Sequence, residues 1–69
     1  MPHVAITMFP GRSLEVKADL AKKVQDFLVK ELNLEEKYIS VSIEDVAVEN
    51  WDESMKKIPA DTMYISRKS

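Results

Sequence analysis

The chain of 69 residues has no cysteine, a single histidine and a single glycine. The missing cysteines exclude a disulfide framework and a thiolate metal site, and the lone His3 excludes a metal site built from several histidines of one chain. A domain of this size buries only a modest share of its surface, so association between copies is the remaining way to stabilise it. We therefore expect one domain over residues 1–69 that forms a homo-oligomer and holds no metal.

The sequence also has neither a large excess of one charge nor a long apolar run. Ten Lys and Arg residues oppose twelve Asp and Glu residues, which gives a net charge of −2 and no basic patch for a nucleic acid. No apolar stretch is long enough to span a bilayer, and no cationic leader precedes an apolar segment as in a signal peptide. We expect a cytoplasmic protein with no nucleic-acid or membrane partner.

Apolar spacing predicts a strand followed by a helix. Alternation over His3–Met8 is typical of a strand, Pro10 and Gly11 end it, and Ser13 is suited to cap a helix over Leu14–Leu32. The apolar stripe that should face the core consists of Val16, Leu20, Val24, Phe27, Leu28 and Leu32. The outward side should carry Lys22, Gln25, Asp26 and Lys30. The helix should end at Asn33, which tolerates the left-handed conformation.

A second alternating segment runs from Ile39 to Glu44 and changes phase near Asp45, which indicates a bulge or a strand end. The right-handed crossover rule makes the two strands parallel. The predicted fold class is therefore α/β (α+β), built on a β-α-β unit. Two strands under one helix are not stable alone. We therefore expect oligomerisation to complete a larger sheet.

The remaining residues have a less regular pattern. The segment Asn50–Glu53 predicts the start of a short helix that carries Met55 and ends before Pro59. The segment Thr62–Ser66 predicts a short strand that adds to the sheet edge of a neighbouring subunit.

Four features follow one another along the chain: Pro2 opens the first strand, Gly11-Arg12-Ser13 stands at the turn into the helix, Val41-Ser42-Ile43 lies in the second strand, and Trp51 follows. In this order they resemble the 4-oxalocrotonate tautomerase family, and in particular its bacterial subgroup of small phenylenolpyruvate-type tautomerases. The resemblance covers nearly the whole chain. It implies a tautomerase-type β-α-β fold.

The resemblance implies a keto-enol tautomerase, an isomerase that needs no cofactor and uses an N-terminal proline as general base. Removal of Met1 would leave Pro2 as a secondary amine, and a free α-amino group titrates near ~7.7–8.0 in model peptides. A modest decrease of that pKa would give a base that is neutral near pH 7. The base would take the proton of the 2-hydroxyl of a 2-hydroxy-dienoate or enolpyruvate-type carboxylate. Protonation at carbon then gives the 2-keto acid.

The resemblance also assigns substrate-binding residues. Arg12 would bind the carboxylate through its planar guanidinium, and Trp51 would form an apolar wall. The alternatives are a surface Arg12 that pairs with Glu15, and a Trp51 that belongs to the core or to an interface. Where the family pattern has a second arginine this chain has Ser40, which favours a monocarboxylate such as an aryl enolpyruvate over a dicarboxylate. His3, next to the base, is an accessory candidate.

The length of the first strand separates two of these residues. At ~3.3 Å per residue, His3 to Met8 carries the chain roughly 16 Å from Pro2, so Arg12 lies at the opposite end of the strand. Antiparallel first strands of two subunits would bring Pro2 of one chain beside Arg12 of the other. We expect an active site between subunits, in a dimer or a hexamer.

Two other functions remain open at this point. A superfamily hydratase, dehalogenase or decarboxylase would use a protonated Pro2 as acid, with Glu49, Asn50 or Tyr64 activating water. A non-catalytic oligomeric binding module would fit a chain that keeps Met1, because an amide nitrogen at Pro2 has no lone pair to offer.

Overall fold

The computed structural model describes residues 1–68. Its helices and strands, in chain order, are β1 (His3–Met8), α1 (Leu14–Leu32), β2 (Ser40–Asp45) and α2 (Trp51–Lys56). Short 3-10 turns lie at Glu36–Tyr38, Val48–Asn50 and Ala60–Thr62. The predicted β-α-β unit and the α/β fold class are confirmed. Neither helix of this described part combines the length and apolar content needed to cross a bilayer.

The two strands pair in parallel, as predicted. His3 lies beside Ser40, and the register continues to Met8 beside Asp45. Because side chains alternate along a strand, His3 and Ser40 share one face of the sheet with Ser42. β2 ends at Asp45, where the sequence pattern changes phase, and the next N–H, that of Val46, donates to the Met8 carbonyl oxygen at 2.8 Å.

The predicted caps of α1 are both present. The Ser13 Oγ accepts a hydrogen bond from the Val16 N–H at 3.2 Å, which satisfies one of the free donors of the first turn. Asn33 adopts the left-handed conformation with φ 54° and ψ 50°, and its N–H donates to the Val29 carbonyl oxygen. These two local contacts explain why the helix begins and ends where the sequence indicated.

The packed face of α1 is rotated relative to the predicted stripe. Three members of the stripe are half-buried: Leu20, Val24 and Leu28. The other three are exposed: Val16, Phe27 and Leu32. Ala21 and Val29 take their place on the half-buried side. The prediction for half of this stripe is therefore wrong.

Gln25 was predicted on the outward side of α1 and instead lies half-buried. Its Nε2 donates to the carbonyl oxygens of Glu36 and Ile39, at 3.0 and 3.2 Å. The Glu36 carbonyl oxygen also accepts the Ile39 N–H at 3.0 Å, so the Ile39 carbonyl oxygen, just before β2, is the one that depends on the amide. Next to Gln25, hydrogen bonds from Lys22 to Glu36 and Asp26 raise the pKa of Lys22.

Few apolar side chains are removed from water within the single chain. Among the described residues, only Ile39 and Val46 are buried hydrophobic residues. Large side chains such as Leu14, Phe27 and Val48 remain mostly exposed. The oligomer predicted from the sequence would cover such surface, since burying it is the main favourable term in association.

Within the single chain the segment Thr62–Ser66 forms no strand, contrary to the prediction, while its pairing with a neighbouring subunit stays a prediction. Thr62 ends a 3-10 turn, and its Oγ1 donates to the Pro59 carbonyl oxygen at 2.7 Å. This local hydrogen bond competes with extended pairing. Tyr64 and Ile65 are 94% and 88% exposed, so within this chain they lie against no strand edge.

Candidate active site

The sequence-predicted site residues form two groups at opposite ends of β1. Pro2, His3 and Ser40 lie at its amino end, which we call the proline end; there the Ser40 N–H donates to the Pro2 carbonyl oxygen at 3.3 Å. Arg12 and Trp51 line one pocket beyond its carboxyl end. β1 alone spans roughly 16 Å between them. A single chain therefore does not bring Pro2 to Arg12.

At the proline end, the backbone of Pro2 is held on two sides. Its pyrrolidine ring fixes φ, and its carbonyl oxygen accepts the hydrogen bond from Ser40. Pro2 is half-buried, whereas Met1 is 98% exposed. The Pro2 nitrogen thus has a fixed position, and Met1 projects into solvent.

The His3 ring lies between two serine hydroxyls on the exposed face of the sheet. Its Nδ1 is 2.6 Å from the Ser40 Oγ, and its Nε2 is 3.0 Å from the Ser42 Oγ. The parallel register produces this arrangement, because Ser40 pairs with His3 and Ser42 follows two residues later on the same face. In a neutral imidazole one nitrogen donates and the other accepts. Ser42 had no predicted role and could be found only from the register.

The pocket at the other end of β1, which we call the arginine pocket, has a volume of about 290 Å³. Its lining consists of Thr7, Met8, Phe9, Arg12, Trp51 and Arg67. The rings of Phe9 and Trp51 meet edge to face, with centroids 4.9 Å apart and an interplanar angle of 75°. This geometry is favourable for an aromatic pair. Trp51 is therefore an aromatic packing residue and a pocket wall at once.

Gly11 directs Arg12 into the arginine pocket. Its φ is 127°, a backbone conformation that L side chains rarely adopt and glycine adopts freely. The chain thereby turns after Pro10 before α1 begins. The alternative pairing of Arg12 with Glu15 is not formed, since within residues 1–68 the salt bridges all use lysines.

Two residues of the arginine pocket were missed by sequence reasoning. Phe9 follows β1 directly, and an aromatic residue beside a predicted strand end was an available signal. Arg67 lies in the tail, where residues 63–68 form neither helix nor strand. The available signal was that the chain has only two arginines, Arg12 and Arg67, among its ten basic residues.

A larger cavity of about 380 Å³ lies beyond the carboxyl end of β2. Its lining includes the carboxylates Glu44, Asp45 and Glu53 and a single cation, Lys57. An acidic lining disfavours a carboxylate ligand, because like charges repel. The smaller arginine pocket, whose described lining has two cations and no acidic residue, is the better anion site.

The part of the chain that carries most of these residues is similar to known proteins. The family described as "Tautomerase enzyme" matches residues 2–52, which include Pro2, Arg12, Ser40 and Trp51 but exclude Arg67. A probable tautomerase of Xylella fastidiosa (strain 9a5c) is 33% identical over 51 residues, covering 74% of this chain and 62% of that protein. Thus the chain spans about three fifths of the length of this relative.

Two further relatives are more fully covered. The "Tautomerase PptA" of Escherichia coli O127:H6 is 38% identical over 52 residues, covering 74% of this chain and 69% of that protein. A probable tautomerase of Ralstonia nicotianae is 33% identical over 51 residues, covering 74% of this chain and 78% of that protein.

Proposed function

Because the chain belongs to the tautomerase family, we propose that it is a keto-enol tautomerase with Pro2 as general base. Its substrate would be a 2-hydroxy-dienoate or an enolpyruvate-type carboxylate. The observation that carries the proposal is the arginine pocket, a cationic and aromatic-lined cavity at one end of β1. The candidate base lies at the other end.

The proposed reaction moves one proton from oxygen to carbon. With Met1 removed, the Pro2 nitrogen has a lone pair and accepts the proton of the 2-hydroxyl. The O–H electrons form the carbonyl, and the electrons of the C=C bond take a proton at carbon from the prolinium. The amine is thus regenerated, the 2-keto acid leaves, and the net reaction is an isomerisation that consumes no co-reactant.

In this proposal the arginine pocket binds the substrate. The Arg12 guanidinium would bind the carboxylate in bidentate fashion, and the Phe9 and Trp51 rings would cover the carbon skeleton. Ser40 and His3, which hydrogen-bond each other beside Pro2, would orient the reacting end of the substrate. These roles add Phe9 to the site residues that the sequence predicts.

The base and the carboxylate-binding residue must meet through association. We propose a homo-oligomer in which Pro2 of one protomer lies beside Arg12 of its partner, because β1 separates the two groups within one chain. The partner's aromatic wall and guanidinium would then surround the amine. Both desolvation and a nearby cation disfavour the protonated amine and lower its pKa.

The test follows phenylenolpyruvate ketonisation with protein whose intact mass shows that Met1 is absent. We expect Pro2→Ala to lower kcat/KM about 100-fold or more, the range typical of a lost general base. Pro59→Ala is the matched control, since Pro59 lies in the tail turn outside both site groups, and it should keep the parent rate. Equal rates for Pro2→Ala and parent, or full activity in protein that retains Met1, would overturn the base assignment.

A further inference from the structure

The two arginines of this chain line the same pocket. The sequence has eight lysines and two arginines, and the arginines are far apart in it, at positions 12 and 67. The fold nevertheless brings both to the arginine pocket, whose lining among residues 1–68 contains no acidic residue. In a protein of net charge −2 this is a local excess of positive charge.

Neither guanidinium is neutralised by the described part of the chain. Within residues 1–68 the salt bridges are formed by Lys17, Lys22, Lys23, Lys37 and Lys56. Two like charges at one pocket repel each other, and an anion between them removes that repulsion. A guanidinium also presents a planar fork of donors that matches a carboxylate better than an ammonium does.

We propose that Arg67 is a substrate-binding residue, and that the arginine pocket therefore prefers a short dicarboxylate to a monocarboxylate of the same length. Identification of the ligand as a substrate rests on the proposed tautomerase function. The inference reverses the expectation from Ser40, because the second positive charge comes from the tail instead of from β2.

The size and walls of the pocket fit such a ligand. A volume of about 290 Å³ lies near the lower end of the range for small-molecule pockets and is large enough for a six-carbon acid. The Phe9 and Trp51 rings and Met8 supply the apolar surface that the carbon chain would cover. Arg12 and Arg67 would each take one carboxylate.

Trp51 provides a direct measure of binding. It is the only tryptophan of the chain and it lines the pocket, so its fluorescence reports occupancy without any reaction. The probes are adipate and hexanoate, six-carbon acids with two carboxylates and one carboxylate. Titrations would use the full chain, as the parent and as the variants Arg67→Ala, Arg67→Lys and Lys68→Ala.

We expect the parent to bind adipate about tenfold or more tightly than hexanoate, since a hydrogen-bonded charge contact is worth at least that factor. Arg67→Ala should lower adipate affinity about tenfold while hexanoate affinity changes less than about twofold. Arg67→Lys should restore part of the loss. Lys68→Ala removes the same charge one residue later, outside the lining, and should leave both affinities unchanged.

Three results would overturn this inference. These are equal affinities of the parent for the two acids, an equal loss in Arg67→Ala and Lys68→Ala, and the absence of adipate binding. The proposed function fails separately, through the activity of Pro2→Ala. Adipate binding that depends on Arg67 in a protein without Pro2-dependent ketonisation would retain the anion site and reject the tautomerase.

Discussion

His3 and Ser40 are neighbours across the two parallel strands, and the Nδ1 of His3 lies 2.6 Å from the Ser40 Oγ. Ser42 holds the other ring nitrogen at 3.0 Å. The orientation of the imidazole next to Pro2 is therefore set by the strand register. A side chain fixed in this way can position a substrate group without losing rotamer freedom when the substrate binds.

Removing the Ser40 hydroxyl should change the state of the imidazole. In Ser40→Ala the Nδ1 loses its partner while Ser42 still holds Nε2, so we expect the tautomer ratio of His3 to shift. Nitrogen chemical shifts measure this ratio, and with one histidine in the chain the signal is unambiguous. Ser13→Ala, at the helix cap, should leave the His3 signal unchanged. Identical spectra for Ser40→Ala and parent would contradict the contact.

Mixing two inactive variants tests the site between subunits. Pro2→Ala keeps the arginine pocket and Arg12→Ala keeps the base, so a heteromer contains one intact site where the two parent halves meet. For a dimer assembled at random we expect about a quarter of the parent activity. A mixture of Pro2→Ala with the double variant should stay inactive. No recovery after dissociation and reassociation would count against a shared site.

Arg12→Lys keeps the charge and loses the planar fork. We expect KM to rise about tenfold, with a smaller change in kcat, because a carboxylate contact made before and during the reaction is weakened. Steady-state kinetics on phenylenolpyruvate measure both constants, and Lys57→Arg, in the acidic cavity, should change neither. An unchanged KM would show that the carboxylate binds elsewhere.

Gly11→Ala should destabilise the fold although there is space for the methyl group. A Cβ at Gly11 meets no atom within 4 Å, yet the φ of 127° is strained for alanine. We expect a loss of about 1 kcal/mol in the free energy of unfolding, measured with urea. Asn33→Gly, at the other residue with positive φ within residues 1–68, should cause no loss. Equal stability of Gly11→Ala and parent would refute the need for glycine.

Gln25→Leu should reveal the polar contact under α1. The leucine is compatible with a half-buried helix position but leaves the Ile39 carbonyl oxygen without the amide donor, whereas the Glu36 carbonyl oxygen keeps the Ile39 N–H. We expect a loss of about 1 kcal/mol, since an unsatisfied group costs more than a hydrogen bond contributes. Lys30→Leu, on the exposed side, should be near neutral. The opposite ranking in thermal melts would argue that the amide contributes nothing.

Local signals explain how far the fold could be predicted. Ser13 and Asn33 act through hydrogen bonds and backbone conformation within a few residues, so the bounds of α1 follow from the sequence. Gln25 donates to carbonyl oxygens that come beside it only when the chain folds back after α1. Helical periodicity alone therefore could not predict its burial. The segment Thr62–Ser66 has strand-like residues, yet a turn at Thr62 satisfies the backbone locally.

The candidate site likewise contains residues that the sequence predicts and one that it does not. The distance between Pro2 and Arg12 follows from the length of one strand, and Trp51 was assigned through its family resemblance. Arg67 comes to Arg12 through the path of an irregular tail, for which no periodic pattern exists. Only the structure shows that Arg67 lines the same pocket as Arg12.

The gathering of both guanidinium groups in one cavity makes this small protein open to selective labelling. A dicarbonyl reagent such as phenylglyoxal modifies arginine in preference to lysine, so each arginine adduct located by mass spectrometry marks the cavity. Protection by a bound acid would then map the occupied side chain without any mutation.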